Sequence, residues 1–260
     1  MASAAVPGRR LALVVEYDGT DFHGFQLQSG GRRTVQGELE AALLRVTRER
    51  VRVAGAGRTD AGVHALGQVV SFTSGTRLAS GDLQRALNAV LPADVAVLRC
   101  CEVPTGFHAR YSALSREYVY WIINRPERSA LCRRWAHHVA PPLDEAVMDE
   151  ACRLLVGKHD FASFSGGGRR ERTERTVYRA ACRREGERVC VEVAADAFLP
   201  HMVRNIVGTL IWLGTGKLDL PAFARIFGGG RRSLAGPTAP PQGLYLARVN
   251  YGEEWQGVFG

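Results

Sequence analysis

No apolar run in this chain approaches the ~20 residues that a membrane-spanning helix needs. The first hydrophobic run, Leu11 to Val15, is only strand-sized. The six cysteines (Cys100, Cys101, Cys132, Cys152, Cys182 and Cys190) include no Cys-x-x-Cys pair, and no histidine stands at metal-ligand spacing from them. No metal site is predicted, and the thiols read as those of a reducing compartment. The sequence also lacks a phosphate-binding Walker loop and a dinucleotide fingerprint, so no cofactor is predicted. Residues 1–10 carry small residues and two arginines with no long apolar stretch behind them, so no secretory signal is expected. The expectation is a cytoplasmic protein with loose tails at 1–10 and 253–260.

What is present is a chain of 260 residues that is 46% apolar, enough to build a core without disulfide or metal staples. Length alone favours one large domain or two closely associated ones. The charge balance, 34 Lys and Arg against 26 Asp and Glu, gives a net +8. That excess points to a polyanionic partner, of which nucleic acid is the commonest.

Hydrophobic periodicity supplies the elements. Leu11 to Tyr17 reads as a strand, and Thr34 as the cap of a helix facing inward through Val35, Leu39, Ala42, Leu43 and Val46. Short strands follow at Val51 to Val53 and Gln68 to Phe72. Ser80 is expected to cap a helix carrying Leu83, Ala86, Leu87 and Val90, and Val95 to Val103 is the next strand. The second half gives a strand at Glu117 to Ile123 and a helix at Leu143 to Val156, with Val147, Ala151, Leu154 and Leu155 inward and Gly157 ending it. A hairpin follows (Val177 to Arg183, Arg188 to Ala194), then helices at Met202 to Leu213 and Leu220 to Phe227, and a strand at Leu244 to Asn250. If Gly186 centres the hairpin turn, Cys182 and Cys190 face each other as a thiol pair. The order β-α-β-β-α-β thus occurs twice. The predicted fold is α+β: two ferredoxin-like halves, 11–105 and 106–252, with mostly antiparallel sheets side by side around a central basic cleft. Two glycine- and arginine-rich segments are candidate cationic arms: Ser165 to Arg175, with Arg169, Arg170, Arg172 and Arg175, and Gly228 to Arg232, with Arg231 and Arg232.

The most distinctive run is Gly57-Arg58-Thr59-Asp60-Ala61-Gly62-Val63-His64, in a loop between two predicted strands. A carboxylate among glycines is ordinarily a turn former. This one has company. Tyr17-Asp18-Gly19-Thr20 precedes it, with Phe22, Gly24, Phe25, Gln26 and Gln28. Phe107-His108-Ala109-Arg110-Tyr111-Ser112-Ala113 and Arg116-Glu117-Tyr118-Val119-Tyr120 follow it. Farther on come His159-Asp160-Phe161 with Phe164, Phe198-Leu199 with Met202-Val203-Arg204-Asn205-Ile206-Val207-Gly208, and Thr238-Ala239-Pro240-Pro241 with Gly243-Leu244-Tyr245-Leu246.

In order and spacing, over roughly residues 11 to 251, these motifs resemble the TruA family of tRNA pseudouridine synthases. The resemblance implies isomerisation of uridine to pseudouridine at positions 38 to 40 of the tRNA anticodon stem-loop, without cofactor or metal, by a homodimer with RNA spanning both subunits. It makes Asp60 the essential carboxylate, Arg204 its ion-pair partner and Tyr118 the aromatic packed on the target uracil. Arg58, His64 and Leu244 become candidate substrate contacts, and Arg110, Arg169, Arg170, Arg231 and Arg232 candidate RNA contacts. Two positions depart from the family pattern. Phe25 stands where Trp is usual, and the 228–236 segment has extra glycines.

The chemistry fits one carboxylate. The isomerisation breaks a C–N glycosidic bond, turns the base over and makes a C–C bond, with no redox or phosphoryl step. An ionised aspartate can attack the sugar or the base, or remove a sugar proton; the residues do not choose between these routes. A nearby arginine favours the charged form. The target base must leave its stack, at a cost of a few kcal/mol, and Arg58 is placed to fill the gap or hold a phosphate. The alternatives are a non-catalytic RNA-binding protein on the same scaffold, or another carboxylate enzyme such as a nucleoside hydrolase. The latter would show a second carboxylate or a metal cluster beside the first.

Overall fold

The computed structural model describes residues 8–166 and 172–255. The chain is mixed α+β and divides into two compact units. The first takes the described residues up to Leu114 and those from Leu246 onward; the second is Ser115–Tyr245. The chain therefore leaves the first unit once and returns to it. Arg169 and Arg170 fall outside the described residues, as do most of the predicted tails.

In the first unit β1 (Arg9–Tyr17) lies between β3 (His64–Ser74) and β4 (Val95–Glu102), antiparallel to both. The two-residue β2 (Ala54–Gly55) pairs antiparallel with β3, and β10 (Leu244–Tyr251) is also a neighbour of β3. Leu11, Leu13 and Val15 of β1 are fully buried. Two helices complete the unit: α1 (Val35–Thr47) and α2 (Ser80–Asn88), the latter packed on β4. Thr34 caps α1 as predicted, its hydroxyl accepting the Gly37 N–H at 3.2 Å. Ser80 does not cap α2; it is the first helical residue, and Ala79 at the cap supplies no side-chain bond. The strand expected at Val51 to Val53 lies slightly later, at β2. Arg33 fixes the long β1–α1 connection through two bonds to Asp94 at 2.7 and 2.8 Å and one to Glu38 at 2.9 Å. Its guanidinium lies 4.1 Å from the centre of the Phe22 ring.

In the second unit the strands run β5 (Ala113–Asn124), β9 (Arg188–Ala195), β8 (Glu174–Glu185), β7 (Gly157–Asp160). The pairs β5–β9, β9–β8 and β8–β7 are antiparallel, and β6 (His137–Val139) joins β5 in parallel. Neither β6 nor β7 was expected from periodicity. Helix α3 (Glu145–Leu154) packs on β8, and α4 (Met202–Gly214) and α5 (Leu220–Gly228) pack on each other. The inward face of α3 is Met148, Ala151 and Cys152 with Leu155 beyond, one position on from the face expected. Leu154 is exposed, and the helix stops before Gly157, whose positive φ of 114° opens β7. The hairpin register sets Cys182 against Val191 and Arg183 against Cys190. The two thiols therefore point to opposite faces instead of at each other. Burial pushes the Cys182 thiol up to about 12 and the Cys190 thiol up to about 11, leaving both as inert SH groups.

Candidate active site

The loop from Gly57 to Val63 joins β2 to β3, and its shape is set by what lies beneath it. Register shifts in the pairing of β1 with β3 bring Tyr17 opposite Ala65, where the Tyr17 hydroxyl meets the Thr59 hydroxyl at 2.8 Å. Both side chains are buried. Burial pushes the Tyr17 phenol up to about 12, against weaker opposing bonds from Thr59 and Gln68, so the phenol is a neutral strut. Gln68, also fully buried, donates to the Gly57 carbonyl at 2.8 Å and fixes the loop's entry.

The neighbouring 18–25 segment closes on the same loop from the other side. Phe25 N–H donates to the Thr59 carbonyl at 3.1 Å, and Gly62 N–H donates to the Phe22 carbonyl at 3.3 Å. Within the loop, Val63 N–H returns to the Asp60 carbonyl at 3.2 Å, and Gly62 takes a φ of 77°. Two glycines permit this approach. A Cβ on Gly19 would come within 2.0 Å of the Val63 carbonyl oxygen. One on Gly24, whose φ is 89°, would come within 2.8 Å of the Thr59 carbonyl oxygen. The backbone of Asp60 is thus clamped on both sides while its side chain is only half-buried and Arg58 beside it is exposed. Phe25 is itself buried against Gly55, so the aromatic in the usual Trp position serves the loop's packing.

His64, expected as a substrate contact, is buried at the start of β3. Its Nδ1 accepts the Gly19 N–H at 3.0 Å, with Asp18 Oδ1 3.1 Å away. Asp18 is otherwise occupied by the Thr20 N–H and hydroxyl. This histidine braces the 18–20 turn that meets the Asp60 loop.

In the second unit, Tyr118 of β5 lies buried with its ring edge-to-face on Phe198 at 4.9 Å. Two residues on, the Tyr120 hydroxyl donates to the Pro240 carbonyl at 2.8 Å, and burial raises its phenol. Arg204 of α4 donates from Nε to the Ala239 carbonyl at 2.7 Å, while Ala239 N–H donates back to the Arg204 carbonyl at 3.0 Å. That reciprocal pair fixes the plane of the guanidinium. Leu244 opens β10 just after a single 3-10 turn at Pro241–Gly243 and is buried.

The expected RNA contacts divide. Arg110 and Arg231 are exposed. Arg232 is half-buried, and its guanidinium donates to Asn205 Oδ1 at 2.9 Å, the Gly236 carbonyl at 2.9 Å and the Thr238 hydroxyl at 3.1 Å. It serves as the clasp of the 232–238 segment against α4. Asn205, fully buried, completes the clasp by donating to the Phe164 carbonyl at 2.8 Å. Sequence reading missed Tyr17, Thr59 and Gln68 as supports. Their signal was present only as proximity to the Asp60 run, since nothing in strand periodicity marks a phenol for a hydroxyl 42 residues away.

Residues 13–112 and 151–252 match a family model described as tRNA pseudouridine synthase. A tRNA pseudouridine synthase A of Roseiflexus castenholzii is 50% identical over 250 residues, covering 95% of this chain and 92% of that one. Another, of Methylococcus capsulatus, is 48% identical over 250 residues, covering 95% and 91%. Among solved structures, an archaeal box H/ACA sRNP complex overlaps 78% of this chain and 43% of that one at 14% identity. Its TM-score of 0.32 is too slight to carry an argument.

Proposed function

The chain belongs to the tRNA pseudouridine synthase family, isomerases that make pseudouridine in tRNA, and from that premise we propose that Asp60 is its essential catalytic carboxylate. The substrate uridines are those at positions 38 to 40 of the anticodon stem-loop, each acting as a flipped-out nucleotide. The observation that carries the reading is the contrast within one loop. Peptide units on either side of Asp60 are held by the backbone of Phe25 and Phe22, and the Thr59 side chain by Tyr17, whereas Asp60 itself is half-exposed. A group that only shaped a turn would not need so stiff a seat; a nucleophile or base held at one position does.

The reaction exchanges the N1–C1′ bond of uridine for a C5–C1′ bond. The proton on C5 leaves and N1 gains one, so substrate and product are isomers. Covalent attack on the sugar or base and removal of a sugar proton both need the same ionised oxygen. Arg204 is the cation that keeps it charged, with its plane set by Ala239. Tyr118 packs on the uracil, its ring direction set by Phe198. Arg58, exposed two residues before the carboxylate, takes the space the base vacates. Arg110 and Arg231 meet phosphates, which position the arm by its shape. The β4-β1-β3-β2 pairing order supports a ferredoxin-like first half, and we assign the second half the same plan around a basic RNA-binding cleft. The working form is a homodimer in the cytoplasm; among the described residues no helix is long and apolar enough to cross a membrane.

The test is Asp60→Asn, read by proton release from uracil C5 in unmodified tRNA. Release is expected to vanish while tRNA still binds. Turnover retained by that variant overturns the assignment, and sedimentation as a monomer at working concentration overturns the dimer.

A further inference from the structure

The segment after β4 carries an exposed aromatic on a built base. Phe107 and Ala109 are buried, His108 between them is half-buried, and Arg110 and Tyr111 after them are exposed. Phe107 packs on the Tyr251 ring at 5.1 Å, its carbonyl takes the Arg10 Nε–H at 3.0 Å, and the Ala109 carbonyl takes the Tyr251 hydroxyl at 2.8 Å. The Ser71 hydroxyl accepts the Ala109 N–H at 3.0 Å. Above this anchor the chain folds on itself. Ser112 N–H donates to the His108 carbonyl at 2.9 Å, and His108 N–H donates to the Ser112 hydroxyl at 3.1 Å. The amides of Arg110 and Tyr111 converge on His108 Nδ1 at 3.1 and 3.4 Å.

The product of that turn is Tyr111, 78% exposed, with the His108 ring 4.5 Å away at 35° and the Arg110 guanidinium 5.7 Å from its centre. An aromatic this open loses contact with water when something flat covers it, and here the His108 ring lies against it. Burial, then the nearby charges of Arg10 and Arg110, lower the His108 imidazole from its ordinary value, which suits an Nδ1 that accepts two N–H groups.

We propose that Tyr111 is a stacking platform for an unpaired nucleobase of the tRNA substrate, with Arg110 binding the adjoining phosphate. A flat π-face beside a cation is the pairing that single-stranded nucleic acid meets in its binding grooves, tolerant of base identity. The net charge of +8 agrees with a polyanionic partner. The proposal deepens the reading of the chain as a tRNA-modifying enzyme and rests on it.

The experiment measures binding of unmodified tRNA across a salt series, with turnover followed in parallel. Tyr111→Ala and Tyr111→Leu are each expected to raise Kd roughly 5- to 150-fold, the range that base–aromatic stacking gives. Tyr111→Phe should bind like the wild type. The slope of log K against log salt should stay the same in all three, whereas Arg110→Ala should lower it by about 1. Wild-type binding by Tyr111→Ala, or full affinity in Tyr111→Leu, overturns the platform and leaves the enzymatic reading intact. Conversion of Tyr111→Ala to a smaller species in sedimentation also overturns it, because the ring would then serve a contact between copies of the chain. Wild-type protein that neither binds nor isomerises tRNA removes both readings together.

Discussion

Replacing Tyr17 with Phe deletes one oxygen and leaves the Thr59 hydroxyl buried without its 2.8 Å partner. Both groups are nearly inaccessible, at 3% and 6% relative exposure, so water cannot substitute freely. The expected loss at neutral pH is about 1–2 kcal/mol, the net bond plus part of the cost of an unsatisfied hydroxyl. The same hydroxyl carries an opposite liability in alkali. Its folded pKa of about 12 lies above the phenol's ordinary 10.0, so the unfolded chain gives up the proton first. Stability tied to Tyr17 is therefore complete below pH 10 and declines as pH rises through the folded pKa. The decline amounts to roughly 2–3 kcal/mol in all. Tyr17→Phe has no such proton, so the wild type should be the more stable protein up to pH 10 and the less stable one beyond about pH 11. Urea unfolding of both proteins from pH 8 to 11.5 measures the difference directly. A difference that stays flat across pH 10 to 11.5 refutes the buried neutral phenol, and no difference at pH 8 refutes the strut. Because Thr59 is adjacent to Asp60, the variant should also lose kcat at pH 8 more than it gains KM.

Three further outcomes are expected. Gly24→Ala should cost more than about 1 kcal/mol through its positive φ alone, and the 2.8 Å approach of the new Cβ to the Thr59 carbonyl should displace the Asp60 loop, read as a fall in kcat with tRNA affinity kept. Arg232→Ala should lower stability by about 2–3 kcal/mol, because bonds from a charged donor to Asn205, Thr238 and Gly236 are lost, as measured by urea unfolding. Burial lowers His108 and His137 below 6.5, so the unfolded chain protonates first; stability should fall as pH drops below about 6.5, and His137→Gln should make that fall shallower in unfolding at pH 7.5 and 5.5.

Elements with a strong internal rhythm were legible before any coordinates. The stripe Val35, Leu39, Ala42 and Leu43 is the buried face of α1, and Thr34 is its cap, because both signals lie within one turn of each other. The α3 face slipped by one residue because Val147, Met148, Ala151, Cys152, Leu154 and Leu155 offer two overlapping stripes, and packing against β8 chose the one with Met148 and Cys152. Ser80 carries the right chemistry for a cap but sits one position inside the helix, its place decided by the Leu83 N–H to Ala79 carbonyl bond. The strands β6 and β7 exist only through their pairing with β5 and β8, so a segment such as Gly157–Asp160 has no pattern of its own to read. A hairpin turn closed by the pair Glu185 and Arg188 moved Cys190 one residue out of register with Cys182, and a single residue is enough to change face.

At the site, the Asp60 run stood out by its resemblance, while its supports were invisible. Tyr17 and Gln68 look like ordinary strand residues until the β1–β3 pairing brings them under the loop. His64 illustrates the converse. A histidine four residues from a candidate nucleophile invites a role at the substrate, and its burial against Gly19 gives it one in the frame. Arg232 likewise read as a surface cation, because sequence shows charge and not which carbonyls surround it.

The first unit is made from two separated stretches of chain, closed by β10 and by Tyr251 on Phe107 and Ala109. During synthesis the ribosome must deliver the whole of Ser115–Tyr245 before those residues exist. At ~5–20 residues per second that interval is on the order of ten seconds. Throughout it the nascent Asp60 half carries β3 with an edge of which only the two-residue β2 claims a part, the kind of surface that recruits neighbouring chains. Expression at low temperature or with abundant chaperone should therefore favour this protein by shielding an unfinished sheet until its last strand arrives.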